Sequence, residues 1–309
     1  MHGGQLIDGE RRRGRGALSN VNGRFEHQNH IEADDGWGSL ATLDGFATQT
    51  QIEQARSIIS HNDSPDLSFD QSINPYRGCE HGCIYCYARP THAFLGHSPG
   101  LDFETKLYAK TNAAELLEQE LARPGYVPKT IALGAVTDPY QPIERTYAVS
   151  RQVLEVLDRT SHPVGIVTKS ALVVRDLDIL QRLAERNLVR VALSVTTLDR
   201  HVARAMEPRA ATPARRLDAI RQLSDAGIPT TVMSAPIIPG LTDHEIEAIL
   251  TAGRDAGATS ASYVLLRLPL ELKDLFREWL RENFPDRANR VIKLLQSMHG
   301  PDADPLNTL

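Results

Sequence analysis

All three cysteines of this chain, Cys79, Cys83 and Cys86, crowd into one short stretch. It reads Asn74-Pro75-Tyr76-Arg77-Gly78-Cys79-Glu80-His81-Gly82-Cys83-Ile84-Tyr85-Cys86-Tyr87-Ala88-Arg89-Pro90. The spacing is C-x3-C-x2-C, with an aromatic residue directly before the last cysteine. Three thiolates this close repel one another unless a metal sits between them. Gly78 and Gly82 let the backbone take φ > 0, so the loop can wrap a compact object. Pro75 and Pro90 bracket it and disfavour regular secondary structure across it.

Two metal centres fit such a loop. A structural zinc site needs four closed ligands, and the fourth would be His81, His92 or His97. The chain would then be a zinc-stabilised Cys3His nucleic-acid-binding module without catalysis. A [4Fe–4S] cluster takes one thiolate per iron, so three cysteines leave one iron open for chemistry.

The count of three cysteines, odd and clustered, argues against a secreted disulfide framework and for a reducing compartment. No apolar run is long enough to span a membrane and no signal peptide is evident, so a cytoplasmic location is expected. A net charge of -5 means that the molecule as a whole does not attract nucleic acid. The 309 residues suit one large α/β domain or two small ones.

Residues 1–65 form a polar, Gly-rich and partly flexible N-terminal extension. Its Arg11, Arg12, Arg13 and Arg15 read either as a solvated face or as an arm that contacts the phosphates of a nucleic acid. Gln51 to Ser60 is predicted as a short helix, with Ile52, Ala55, Ile58 and Ile59 on one face. Residues 66–285 then alternate strand and helix. Strands are expected around Phe69–Ile73, Thr130–Gly134, Val164–Thr168, Val189–Val195, Thr230–Ser234 and Ser262–Leu266. Asn112-x-x-Glu115 and Thr242-x-x-Glu245 read as capping boxes, and Thr212-Pro213 as a third helix start. Residues 286–309 supply a last helix and a tail. Six strands alternating with helices imply parallel βαβ units, in a partial barrel or in a doubly wound sheet. Either way, ligands sit at the carboxyl ends of the strands.

The loop resembles the cluster-binding loop of the radical S-adenosylmethionine (radical SAM) superfamily, whose signature is C-x3-C-x-aromatic-C. With Thr137-Asp138-Pro139-Tyr140-Gln141-Pro142 and Ser194-Val195-Thr196-Thr197, it is similar to the branch containing spore photoproduct lyase and DNA-repair photolyase-like relatives. The resemblance implies an α/β fold, a partial (β/α)6 TIM-like barrel. It implies a [4Fe–4S] cluster on Cys79, Cys83 and Cys86, with S-adenosylmethionine on the open iron. An electron from a reductant such as flavodoxin or ferredoxin would cleave the sulfonium. The resulting 5′-deoxyadenosyl radical would abstract hydrogen from an unidentified substrate, with a nucleic-acid lesion or base as the candidate.

The same resemblance implies the cofactor contacts. Tyr85 would pack on the adenine or the cluster. Thr137 and Asp138 would accept the methionine ammonium, although Asp138 also reads as a turn residue before Pro139. Lys169 would pair with the carboxylate, and Ser194 would bond the ribose or carboxylate. One of Arg209 and Arg215 would reach the carboxylate as well. Ile238, in the Pro236–Thr242 segment, would lie on the adenine side. Spore photoproduct lyase uses an additional cysteine as hydrogen donor, and none is spare here. Tyr76, Tyr87, Tyr140 and Tyr263 are therefore the expected donors.

Overall fold

The computed structural model describes residues 6–26, 45–63 and 69–298. The chain opens with β1 (Gln49–Ile52), β2 (Ile59–His61), β3 (Gln71–Ile73) and β4 (Tyr76–Arg77). After the cysteine loop come α1 (Asp102–Thr105), β5 (Lys106–Ala109) and α2 (Ala113–Leu121). The repeating part follows as β6 (Ile131–Leu133), α3 (Glu144–Tyr147), α4 (Val149–Arg159), β7 (Val164–Thr168), α5 (Leu177–Glu185) and β8 (Val189–Ser194). It continues through α6 (Arg200–Met206), α7 (Pro213–Asp225), β9 (Thr230–Ile237), α8 (Ile246–Asp255) and β10 (Ser260–Leu265). Helices α9 (Leu272–Asn283) and α10 (Pro285–Ser297) finish it.

The main sheet has the order β10-β9-β8-β7-β6-β3-β2. Its six strands from β3 to β10 are parallel, and β2 joins the β3 edge antiparallel. Strand order follows chain order without reversal, so the sheet is wound one way. This excludes the doubly wound arrangement, whose order reverses at a switch point, and gives the partial (β/α)6 barrel. A second sheet, β1-β5-β4, stands beside the cysteine loop.

The two faces of the main sheet differ sharply. In register, Ile73, Leu133 and Ile166 pair across β3, β6 and β7, and Leu193 pairs with Val232 across β8 and β9. All five are buried in one apolar cluster with Leu154 of α4, Leu180 of α5, Ile220 of α7 and Ile249 of α8. Each such buried side chain contributes roughly 1.5–3 kcal/mol. Fit is tight there: a Cβ on Gly253 of α8 would stand 2.6 Å from Val232. The alternate residues face the barrel interior, because side chains switch sides at each strand position. Most are small or polar, as Ser72, Ala132, Gly165, Ala192, Ser194 and Thr231 are, while Val167 and Met233 are the larger apolar ones. None belongs to an apolar core cluster. The interior face thus carries fewer branched side chains than a closed barrel, whose interior they fill.

Two expectations fail near the N-terminus. Gln51–Ser60 is not a helix; it holds the end of β1, a connection and the start of β2. Its backbone groups find distant partners instead. Asn112 bonds both the N–H and the carbonyl of Ala55, and Glu120 accepts from the N–H groups of Ile58 and Ile59. The extension is not a solvated arm over residues 15–21, where Arg15, Ala17, Leu18, Ser19 and Val21 are buried. Residues 27–44 of the extension and the tail from 299 onward lie outside the described residues. Among the described residues no helix is long and apolar enough to cross a membrane.

Candidate metal centre

The cysteine loop leaves β4 through Gly78 at φ 70°. A Cβ there would stand 2.7 Å from Leu107 and 2.9 Å from the Phe103 carbonyl oxygen, so the turn requires glycine. The Cys79 N–H donates to Phe103 O at 2.9 Å, and the Ile84 N–H to Met206 O at 3.0 Å. Cys79 and Cys83 are buried and Cys86 is half-buried.

Side chains from far along the chain hold this loop. Arg89, fully buried, donates to the carbonyls of Gly82, Cys83, Pro99 and Gly100 and to the Glu104 carboxylate. Those five acceptors match the five N–H groups of a guanidinium. Gln141, also fully buried, donates to Gly78 O at 3.1 Å and accepts from the Glu80 N–H at 2.9 Å. The Glu80 carboxylate takes Thr48 Oγ1 at 2.7 Å and Arg209 Nη2 at 2.6 Å.

Burial is the main force pushing all three thiols above their ordinary range. Asp138 adds to this at Cys79 and Glu207 at Cys83, whereas Lys169 pulls Cys83 and Cys86 the other way. Three thiols in such a place ionise only against a cationic centre, as soft ligands of iron do. Among the described residues no three His, Cys, Asp or Glu side chains converge to hold one metal ion. The candidate fourth zinc ligands each have a polar neighbour, although Nδ1 of His81 and Nδ1 of His92 are buried without a hydrogen bond. His81 Nδ1 lies 3.3 Å from Asp138, His92 Nε2 lies 2.9 Å from Lys106 O, and His97 Nε2 lies 2.6 Å from Tyr108 Oη.

Lys169 and Ser194 stand on the interior face at the carboxyl ends of β7 and β8. The Lys169 ammonium sits 5.7 Å from the Tyr85 ring centroid, with no carboxylate in ion-pair range among the described residues. Tyr85 is itself buried and donates to Glu207, which also takes Thr196 Oγ1 at 2.7 Å and the Arg216 guanidinium. Arg216 further donates to Ser194 O at 2.9 Å and Ala211 O at 2.7 Å.

The other expected contacts fall differently. Asp138 has no free acceptor for an ammonium. Oδ1 accepts from Thr168 Oγ1 and the Tyr140 N–H, while Oδ2 accepts from the Lys169 N–H and faces His81. Burial opposes its ionisation, but His81, the Lys169 N–H and Thr168 outweigh that and hold the carboxyl down at about 2. Asp138 is a latch between the ends of β6 and β7. The Thr137 hydroxyl donates to Tyr76 O at 3.0 Å. Arg209 is committed to Glu80, Arg215 is exposed, and the buried arginine is their neighbour Arg216. Arg216 escaped the sequence reading, yet it stands in the stripe Arg216, Ala219, Ile220, Leu223 that α7 buries. Ile238 is fully buried among Cys83, Ile84 and Tyr85, so its side chain is core.

The tyrosines divide as well. Tyr76 donates to Glu144 and Tyr140 to Asp176, both phenols being buried on the helix side of the sheet. Tyr263 is exposed but pairs in register with Ser234 on the outer face, away from the interior. Tyr87 directly follows Cys86, is 56% exposed and donates to Ala135 O beyond the end of β6.

Residues 73–252 match the Radical SAM superfamily. An uncharacterized protein of Mycobacterium tuberculosis is 38% identical over 241 residues, covering 77% of this chain and 70% of its own length. One of Methanocaldococcus jannaschii is 28% identical over 214 residues, covering 69% and 76%. A solved spore photoproduct lyase, a mutant form with bound AdoMet and dinucleoside spore photoproduct, superposes with a TM-score of 0.55 at 18% identity. That alignment covers 77% of this chain and about two thirds (67%) of the lyase. Matched over more than half its length, with its thiols gathered at the strand ends of a partial barrel, the chain belongs to the radical SAM superfamily, whose cofactors are a [4Fe–4S] cluster and S-adenosylmethionine.

Proposed function

We propose that Cys79, Cys83 and Cys86 hold the cluster and that the open interior of the half-barrel receives S-adenosylmethionine and a nucleobase-containing substrate. The observation that carries this is the interior face itself. Mostly small side chains line it from Ser72 to Thr231, and Lys169, with no carboxylate in ion-pair range among the described residues, stands at its mouth near the thiols. When bound, the cluster and S-adenosylmethionine supply reductive cleavage of the sulfonium and a hydrogen-abstracting carbon radical; flavodoxin or ferredoxin is the expected electron source.

The chain's own part is to bind, orient and exclude water. Lys169 pairs with the carboxylate of S-adenosylmethionine. Ser194 offers a hydroxyl to the ribose or carboxylate. The Tyr85–Glu207–Arg216 network would hold the Tyr85 ring beside Lys169 and so help to orient that lysine. Tyr87 is the hydrogen donor, because it alone of the four expected tyrosines is exposed beside the loop on the site side. The lyase with its bound dinucleoside shares this fold, and that supports the nucleobase substrate.

Anaerobic purification tests the centre. A brown protein with about four iron and four sulfide per chain is expected, and a colourless protein holding one zinc would overturn the reading. The substrate is tested with S-adenosylmethionine and DNA or RNA oligonucleotides deuterated in their bases or sugars. Deuterium is expected in 5′-deoxyadenosine; its absence from every oligonucleotide, with cleavage intact, removes the nucleobase substrate.

A further inference from the structure

Residues 15–25 precede the matched family region, yet they reach both limbs of the cysteine loop. Glu104 of α1 is the meeting point, and it is fully buried. Its Oε2 accepts from the Gly16 N–H at 2.9 Å and its Oε1 from the Ala17 N–H at 2.8 Å. The same carboxylate takes Arg89, which grips the Gly82 and Cys83 carbonyls. Arg15 donates to Glu104 O at 3.1 Å and to Thr48 Oγ1 at 2.9 Å, and Thr48 in turn donates to Glu80 in the first limb. A Cβ on Gly16 would land on the Gly82 carbonyl oxygen, so the two backbones are in contact.

The segment is fastened on its other side too. Ala17 and Val21 share an apolar cluster with Cys83, Ile84 and Tyr85. Asn20 and Asp102 exchange two hydrogen bonds, each 3.0 Å, and Ser19 donates to Glu278 of α9 at 2.7 Å. A carboxylate buried this fully is tolerable only while every donor around it stays in place. Withdrawing the two strap N–H groups would leave Glu104 short of partners beside the Arg89 that holds the loop.

We propose that residues 15–25 form a strap that positions the Gly82–Cys86 limb and closes that side of the metal centre to water, so that the strap governs how long the cluster is retained. This rests on the reading that the three cysteines hold the cluster. Partners around metal ligands commonly change metal affinity by about 10–100-fold when altered, and the strap acts through such partners.

The test uses the full chain, reconstituted anaerobically with iron and sulfide. Iron release to a chelator, the midpoint potential and the thermal melting of the apo-protein are measured. Gly16→Val, which wedges strap from loop, is expected to release iron roughly tenfold faster or more. Glu104→Gln keeps the side-chain shape but removes a buried negative charge; faster release and a raised midpoint potential are expected. Gly9→Ala, whose methyl meets only Arg12 at 4.0 Å, should behave as wild type. If Gly16→Val does not fold, Glu104→Gln decides. Wild-type protein that fails to load four irons sinks the cluster reading itself. Loaded wild type, with variants that keep its release rate and potential, overturns the strap alone. Faster release that only tracks lost apo-protein stability, at an unchanged potential, also overturns it.

Discussion

The two large apolar clusters among the described residues are assembled in opposite ways. The first lies between the sheet and α2, α4, α5, α7 and α8, joining each strand to helices close in sequence. The second gathers Ala17 and Val21, Cys83 to Tyr85, Met206, Ile238, Leu241 and the apolar faces of α9 and α10. The first is a repeating scaffold made by local periodicity. The second is made by remote segments meeting once, and it holds Cys83 of the candidate metal centre, while Cys79 lies in a small third cluster with Ala88 and Phe103. Scaffold and site can therefore be damaged separately.

Trp279→Ala and Leu154→Ala break this comparison most directly. Trp279 fills the second cluster and donates to Ala205 O at 3.0 Å; Leu154 fills the first. Losses of about 3–5 and 2–5 kcal/mol are expected in chemical denaturation. Only Trp279→Ala should also speed iron release; equal release from both would erase the distinction. Arg216→Met comes next. It strands Glu207 beside Tyr85 at a cost of about 3–5 kcal/mol, whereas exposed Arg215→Ala should stay within about 0.5 kcal/mol. Lys169→Met should leave melting near wild type and weaken S-adenosylmethionine binding about 10–100-fold by calorimetry, from the loss of a charge-assisted pair worth roughly 1.5–3 kcal/mol. Unchanged affinity would remove Lys169 from the site.

Asp138→Asn gives the smallest effect, with its own pH signature. The folded carboxyl titrates at about 2, below its ordinary 3.8. Its ionisation stabilises the fold fully above about pH 4, and that contribution fades as pH falls towards 2. The gap between wild type and Asp138→Asn should be about 2 kcal/mol at neutral pH and close near pH 2. A gap that persists in acid would assign the loss to geometry rather than charge.

The difference between the clusters also explains what was legible in the sequence. Alternating apolar runs at Val164–Thr168 and Val189–Val195 act through neighbours, so the strands and their parallel order could be read. Local signals misled where distant groups claimed the same atoms. Asn112 precedes α2 as expected, but its side chain is spent on Ala55 rather than on a cap. Glu245 bonds Thr197 and the Leu198 N–H instead of closing a capping box. Cysteine spacing marked the candidate metal centre because its three thiols lie on one loop. Arg89, Glu104, Gln141 and Gly16 could not be found, since their purpose appears only when segments far apart in sequence touch. Arg216 was within reach, through the stripe in which it stands.

The strap and α9 flank the cysteine loop in space but sit near opposite ends of the chain. During synthesis the loop emerges early, with the strap already made, while Trp279 and Leu280 arrive almost two hundred residues later. The wall behind Cys83 and Tyr85 is unfinished until then. On the proposed assignment, a cluster delivered before α9 is made would meet an open, leaky site, and stable loading would wait for that helix.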